Sequence, residues 1–516
     1  MDYLVGIDLG STNLKAIVYD ADGHTMAQAS RPTQRFHPDS GHPKWAVWQP
    51  QQIWDGVCQS LQEAIGQLDD RSRIRGVAVT GMGMDGLPLD REGRWLYPFI
   101  SWHCPRTEPQ YHWWLERFGA EEQFAVGGNQ IWVFNTALRL RWMAENHPEI
   151  LERTHKWVLI EDFINQRLCG ALATDYSMAS TTLLFDQRRR QWSEDFLQRS
   201  EIDGRLLCDP QPSGTVLGTV HRAATEATGL PTGTPVVLGG HDYLCGALPT
   251  GVFRPGVLGD VTGTWEMVVA ALDEPVLSPE VLQMGILVDS HVARGRWAAM
   301  GATVAADQLE WFRREYGQPE MQQAAERGGV DWDYLMQAAE ASTIGAGGCL
   351  FLPHMSGSHC PVVDHRSSGT FVGLRNTTSK GDMLRAIIEG LDYQFLQVIQ
   401  GIERGLKVPT DRIVAIGGAV NNRFWMQNKA DVVGTAIEVP EIDEAVVMGA
   451  AVLAGIGVGI YADESEAYDR VYRPGCIYEP DAQRHAWYRD RFAVFSQLYP
   501  ALREIHHQLN AATATV

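Results

Sequence analysis

The chain has 516 residues, 45% of them hydrophobic and 21% charged, with a formal net charge of −20. That length exceeds a single core and predicts two or three domains of ordinary globular composition. The acidic balance argues against nucleic acid or an anionic membrane as a partner, since a basic stripe is the usual footprint of such binding, so any anion bound here is expected to be held by local geometry. The opening "MDYLVGIDLG" lacks the basic segment and long apolar stretch of a signal peptide, and no run approaches roughly 18 apolar residues. The cytoplasm is the expected location.

In chain order, "YLVGIDLGSTNLKAIVYDADGHTMAQASRPT" reads as three strands joined by tight turns, with "DADG" as a hairpin turn. Trp54, Val57, Cys58, Leu61, Ala64 and Ile65 then recur at helical spacing, and "IRGVAVTGMG" follows as a buried strand. A meander, a helix and a further strand suggest a mixed sheet covered by helices. Near residue 256, "GVLGDVTGTWEMVVAAL" repeats the order apolar strand, small-residue turn, apolar strand, a faint echo consistent with two related halves. An apolar face from Met383 to Ile402 predicts a helix over 382–404. "RIVAIGGAVNN" reads as a strand into a glycine turn, "FWMQNKADVVG" as a helix, "DEAVVMGAAVLAGIGVG" as a helix packed closely through small residues, and 484–509 as one terminal helix. No low-complexity linker separates the halves, and the expected domains are 1–246 and 247–516. Eight scattered cysteines without a Cys-x-x-Cys pair read as reduced, mostly buried thiols.

Three glycine turns have the composition of a phosphate cradle. "GIDLGST" sets Asp8, Gly10, Ser11 and Thr12 between two strands, with Lys15 as added charge; the plainer reading is a hairpin shaped by Asp and Gly. "VTGTWE" offers Gly263 and Thr264, with a hairpin again as the plainer reading. "AIGGAVNN" ends a strand on Gly417 and Gly418 and enters a helix through Asn421 and Asn422, where a helix N-terminus favours anions. "GGHDYLCGAL" places Asp242 at the end of an apolar run, either as the N-cap before "YLCGAL" or as a general base taking a hydroxyl proton. The local sequence leaves both open. "TGMGMDGLPLD" ends another strand on Asp85, a polyol acceptor or a turn aspartate, and "FISWHCPRT" adds Trp102, His103 and Arg106, groups suited to sugar faces and hydroxyls.

Taken in this order, the stretches resemble the FGGY carbohydrate kinases. "FNTALRLRW" at 134–142 fits the first family signature with Arg139 where lysine is usual, and "GTFVGLRNTTSKGDMLRAIIEG" at 369–390 fits the second. The resemblance implies an α/β fold of two ribonuclease-H/actin-like domains with the active site in the cleft between them. It also implies ATP and Mg2+, a small-molecule sugar as substrate, no nucleic acid or membrane partner, and a homodimer of the kind relatives often form. Asp8 would lie near the magnesium, with Gly10, Ser11, Thr12 and Lys15 in the first phosphate loop and Gly263 and Thr264 in the second. Gly417, Gly418, Asn421 and Asn422 would line the nucleotide pocket. Asp242 would be the catalytic base, and Asp85, Met84, Trp102, His103, His241 and Trp265 would face the sugar.

Met82, Gly83 and Met84 depart from the Gln-Met-His of xylulose kinases, while "MGMD", "HD" and "GTWE" together resemble the branch acting on deoxy-ketohexoses. Cys104 stands where many members carry aspartate, and Ala306 and Glu310 where glycerol-kinase-type relatives carry glycine and glutamine. The expected reaction is phosphorylation of the terminal hydroxyl of a ketose, first L-fuculose at O1. Rhamnulose, ribulose, xylulose and erythritol are the alternative acceptors. An actin-like ATPase without a sugar substrate is the rival from another class, separated by the sugar-side residues Asp85, Trp102 and Asp242.

Overall fold

The computed structural model describes residues 2–38 and 40–513. Its two large sheets share one plan. The first is drawn from β1 (Tyr3–Leu9), β2 (Asn13–Asp20), β3 (Thr25–Pro32), β4 (Ile74–Gly81), β5 (Val216–Thr219) and β6 (Pro235–His241), in the order β5-β6-β4-β1-β2-β3. The β1-β2-β3 meander is antiparallel, whereas β4 and β6 run parallel to β1.

The second sheet uses β7 (Val257–Thr262), β8 (Trp265–Leu272), β9 (Leu287–Ser290), β10 (Trp297–Val304), β11 (Arg412–Ile416), β12 (Ile437–Val439) and β13 (Cys476–Tyr478), in the order β9-β10-β8-β7-β11-β12-β13. Here β7, β8 and β10 form the antiparallel meander, and β11 and β12 add in parallel. The faint echo in the sequence is thus a topological repeat.

Period-2 alternation divides β1 between two cores. Tyr3, Val5, Ile7 and Leu9 face a cluster that includes Val57, Leu61 and Ala64 of α1 (Pro50–Gly66), and Leu4 faces the opposite cluster with Ala78 and Val237. A strand buried on both faces reads as a near-continuous apolar run, and all seven residues of β1 are buried, Asp8 being the one charged residue among them. The edge strand β3 instead alternates exposed and buried side chains.

The opposite face is covered from far along the chain. The helix Ala445–Gly457 brings Val447, Ala450, Leu453 and Ala454 against Leu4, Ala78 and Val237. Its small residues permit the contact: a Cβ on Gly449 would stand 1.8 Å from the Cys245 carbonyl oxygen. The long helix expected over 382–404 spans Lys380–Leu406, started by a capping box in which Ser379 and Asp382 satisfy each other's backbone N–H groups.

The single terminal helix expected over 484–509 is two helices, Ala482–Phe495 and Leu498–Thr513. Pro500 explains the break: it has no N–H to donate, and its ring clashes with the carbonyl one turn back, so it fits only in the first turn of a new helix. All eight cysteines are free, six of them buried, Cys169 half-buried and Cys476 exposed. Among the described residues, no helix is long and apolar enough to cross a membrane.

Candidate active site

The residues singled out in the sequence gather where parallel strands end. Asp8 pairs in register with Thr80, and Gly81 with His241, so the carboxyl ends of β1, β4 and β6 carry Asp8, the 82–85 turn and Asp242 side by side. Open α/β sheets bind ligands at this edge. In the second sheet Val261 pairs with Ile416, which sets the Gly263–Thr264 turn beside the Gly417–Gly418 turn. They touch: a Cβ on Gly417 would stand 2.4 Å from the Thr262 carbonyl oxygen, and the residue has φ 107°, so glycine is required there.

Asp242 opens the helix α2 (Asp242–Ala247). The structure moves it one place from the expected N-cap, because extended His241 is the capping residue and Asp242 is the first helical one. Asp242 Oδ1 lies 2.7 Å from His241 Nδ1 and accepts from the Tyr243 N–H at 2.6 Å. Oδ2 has no protein hydrogen bond among the described residues, and the side chain is 33% exposed. A carboxylate pinned by one oxygen and open at the other can receive a proton.

Asp8 is its opposite in exposure. It is buried, its Oδ1 has no partner, and burial pushes its carboxyl up to about 8, with Asp242 and Glu444 adding to the rise and Lys15 opposing it. Lys15 does not stand free for phosphate: its Nζ donates to both oxygens of Glu444 at 2.7 Å. Thr33 braces the turn, donating from N to the Thr12 carbonyl at 2.9 Å and from Oγ1 to the Gly10 carbonyl at 2.8 Å, while Ser11 is half-buried and Thr12 exposed.

The expected sugar-side residues part into two groups. Asp85 is fully buried, its Oδ2 accepting from Trp48 Nε1 at 2.6 Å and its Oδ1 from Arg139 Nη2 at 3.0 Å. Burial pushes its carboxyl up to about 6 against the opposing pull of Arg139. Both of its oxygens thus have protein partners that brace the turn. Arg139 and Thr136 also donate to the carbonyl of Met84, a residue at φ 74° in the left-handed region. The first signature helix therefore clamps a strained turn.

Trp102 is 37% exposed and lies over His103 at 3.7 Å between ring centroids. Burial, helped by Arg35, lowers the His103 imidazole to about 4, so the ring is neutral at pH 7. His241 packs against Gly83 of the same turn. Burial alone would lower His241, but Asp242, with Asp289 and Asp175 beyond it, raises it instead. Trp265 does not join this group: among the described residues its ring contact is His359, at 4.7 Å. Cys104 is buried and accepts from Arg106 Nε at 3.0 Å.

At the third glycine turn, Gly418 is open and exposed, and Asn421 Nδ2 donates to the Gly418 carbonyl at 3.3 Å. Asn422 caps the helix α3 (Arg423–Val433) by accepting from the Trp425 N–H at 3.1 Å. Ala306 N donates to the Gly263 carbonyl at 3.1 Å, and Glu310 is tied to Arg313.

Several residues that hold the site escape a reading of the sequence alone. Ser177 Oγ accepts from the His241 N–H at 2.8 Å and donates to Asp175 at 2.7 Å, fixing the backbone that presents Asp242. Asp289, in the second sheet, accepts from the Tyr243 hydroxyl at 2.8 Å and from Asn129. Only Arg139 carried a signal, as the departure in the first signature.

The model of the FGGY carbohydrate kinase N-terminal domain matches residues 3–249, and that of the C-terminal domain matches residues 260–458. The chain belongs to the FGGY family of carbohydrate kinases. It is 30% identical over 481 residues to L-fuculokinase of Escherichia coli K12, covering 91% of this chain and 96% of that protein. It is 27% identical over 518 residues to xylulose kinase of Bacillus subtilis, covering 99% of each. The crystal structure of xylulose kinase from Rhodospirillum rubrum superposes with a TM-score of 0.88 at 27% identity, over 98% of this chain and 100% of that one.

As an FGGY kinase the protein is a phosphotransferase acting on a carbohydrate, which sets aside an actin-like ATPase without a sugar substrate. Its second signature serves the frame: Glu389 accepts from the Gly345 N–H at 2.9 Å, from Arg385 Nε at 2.9 Å and from the Tyr488 hydroxyl at 3.0 Å.

Proposed function

We propose that the protein phosphorylates the O1 hydroxyl of L-fuculose with ATP, Asp242 acting as the general base. The observation that carries this reading is the Asp242 carboxylate, with Oδ1 held by His241 and the Tyr243 N–H and Oδ2 free, at the strand ends that also carry Asp8 and the 10–12 glycine turn. Asp242 Oδ2 accepts the hydroxyl proton as the sugar oxygen bonds to the γ-phosphorus of ATP, and the bond from that phosphorus to the β,γ-bridging oxygen breaks to leave ADP. Gly263, Thr264 and the 10–12 turn would direct backbone N–H groups and hydroxyls at the phosphates, and Gly417, Gly418 and Asn421 would line the base.

Asp8 fits a magnesium ion: it is a hard oxygen donor, buried, with one unpartnered oxygen that a cation would satisfy. Bound with the nucleotide, Mg2+ would neutralise charge on the β and γ phosphates that this acidic chain does not offset. Trp102, His103 and His241 would contact the sugar, while Asp85, Arg139 and Trp48 keep the 82–85 turn in shape. L-Fuculose is preferred over xylulose because "MGMD" and Cys104 depart from the xylulose pattern.

An ATP-coupled assay over L-fuculose, L-rhamnulose, ribulose, D-xylulose and erythritol tests the proposal. The highest kcat/KM is expected for L-fuculose. A higher value for another acceptor overturns the substrate assignment, and no turnover with any sugar overturns the base assignment with it.

A further inference from the structure

Beneath the second glycine turn lies a buried charge cluster that phosphoryl transfer itself does not use. Lys429, in α3, is fully enclosed. Its Nζ donates to Asp260 Oδ2 at 2.8 Å, to Glu266 Oε1 at 2.5 Å and to Thr262 Oγ1 at 3.1 Å. Thr262 Oγ1 in turn donates to Asp260 Oδ1 at 2.7 Å. Asp260 and Thr262 lie at the end of β7 and Glu266 is the second residue of β8, so the three acceptors bracket the Gly263–Thr264 turn from both strands. The ammonium also lies over the rings of Phe395 and Trp425, with Nζ 4.6 and 5.2 Å from their centroids.

The helix that carries Lys429 begins at the other candidate nucleotide turn. Asn422 caps α3, and Gly417 backs onto the Thr262 carbonyl, inside the same cluster. Helix and hairpin thus meet twice, once through backbone at residue 417 and once through the ammonium about two turns further along the helix.

Stability alone is a poor account of this arrangement. Desolvating an ammonium and two carboxylates consumes most of their mutual attraction, and well-packed apolar replacements of buried ion pairs are often neutral or stabilising. Glu266 Oε2 is also buried without a partner, so the cluster is not saturated. An apolar side chain would fill the space but would not hold three oxygens from two strands at fixed directions.

We infer that Lys429 is a positioning residue for the nucleotide. It locks the 262–266 hairpin to the helix that presents the 417–422 turn, so that the phosphates and the base of ATP meet one preformed surface. The inference rests on the proposed reading of both turns as nucleotide contacts.

The test uses the full chain, with ATP KM measured at a saturating concentration of the best sugar from the panel, sugar KM measured at saturating ATP, and mant-ADP binding measured without sugar. Lys429→Met should raise the ATP KM and the mant-ADP Kd by about tenfold or more, the scale of a misplaced contact surface, while the sugar KM stays within about twofold. Lys429→Arg should recover most of the loss. The triple variant Lys429→Met, Asp260→Asn, Glu266→Gln removes the ammonium together with the two carboxylates that it bonds, leaving Asp392 to its own donors Trp425 and Asn428, and should show the same split if the single variant does not fold. An unchanged mant-ADP Kd in the folded triple variant overturns the inference, as does an equal rise in both KM values. Wild-type protein that binds no mant-ADP overturns instead the nucleotide reading beneath it.

Discussion

The two glycine hairpins share a topology and treat charge in opposite ways. At the first, Asp8 is buried with an oxygen left unpartnered, and the nearby Lys15 is drawn off to Glu444. At the second, Asp260 and Glu266 converge on Lys429, enclosed with them. A carboxylate that no lysine or arginine bonds is left able to serve something outside the protein, whereas one matched by a buried ammonium is framework. By the same criterion Asp242, with one oxygen free, belongs with Asp8, and Asp85, gripped by Arg139 and Trp48, belongs with Asp260.

That division orders the expected effects of substitution. The largest falls on Asp242→Asn, which keeps the Oδ1 contacts but cannot take a proton: kcat should drop roughly 10²–10⁴-fold with an unchanged melting temperature. Near-normal turnover would move Asp242 out of the chemical class. Arg139→Met should act on stability first, because it strands the Asp85 charge in the core; unfolding by urea should show a loss of about 3–5 kcal/mol. A loss confined to kcat would place Asp85 with Asp242 instead.

Gly417→Ala should cost about 1–3 kcal/mol, since a side chain at that φ also drives into the Thr262 carbonyl, and the ATP KM should rise more than the sugar KM. Asp8→Asn should weaken apparent Mg2+ affinity by about tenfold, read from the Mg2+ dependence of turnover. It also has a pH signature. The unfolded carboxyl titrates near 3.8 and the folded one near 8, so the folded state holds more protons between them and stability falls as pH rises through that window. Melts without Mg2+ at pH 5 and pH 8 should show a shallower fall for Asp8→Asn than for wild type; equal slopes would return Asp8 to the framework class. The smallest effect is expected from Tyr243→Phe, which removes the hydrogen bond to Asp289: about 1 kcal/mol by urea unfolding.

Much of this was legible in the chain. Both hairpins and the helix expected over 382–404 announce themselves through local patterns, apolar alternation around a glycine turn and a 3.6-residue apolar stripe, and local patterns are what a sequence displays. The terminal helix misled because its apolar face continues across the break, and only Pro500 marks the new start.

What stayed hidden is pairing across distance. Lys15 meets Glu444 over 429 residues, Lys429 meets Asp260 over 169, and Arg139 meets Asp85 over 54. In the sequence Lys15 therefore reads with the phosphate loop, and Asp85 as either a polyol acceptor or a turn aspartate, without their partners Glu444 and Arg139 in view. The contact of the Trp265 ring with His359 was hidden in the same way, 94 residues apart in the chain.

The helix Ala445–Gly457 has a consequence for how the molecule is made. It supplies the apolar cover for Leu4, Ala78 and Val237, residues synthesised hundreds of positions earlier. As the chain leaves the ribosome, the first sheet is complete in hydrogen bonds by residue 241 but bare on one face until this helix emerges. A chain stopped before residue 445 would carry that bare face permanently, making the nascent first half a natural client for chaperones and its truncations prone to aggregate.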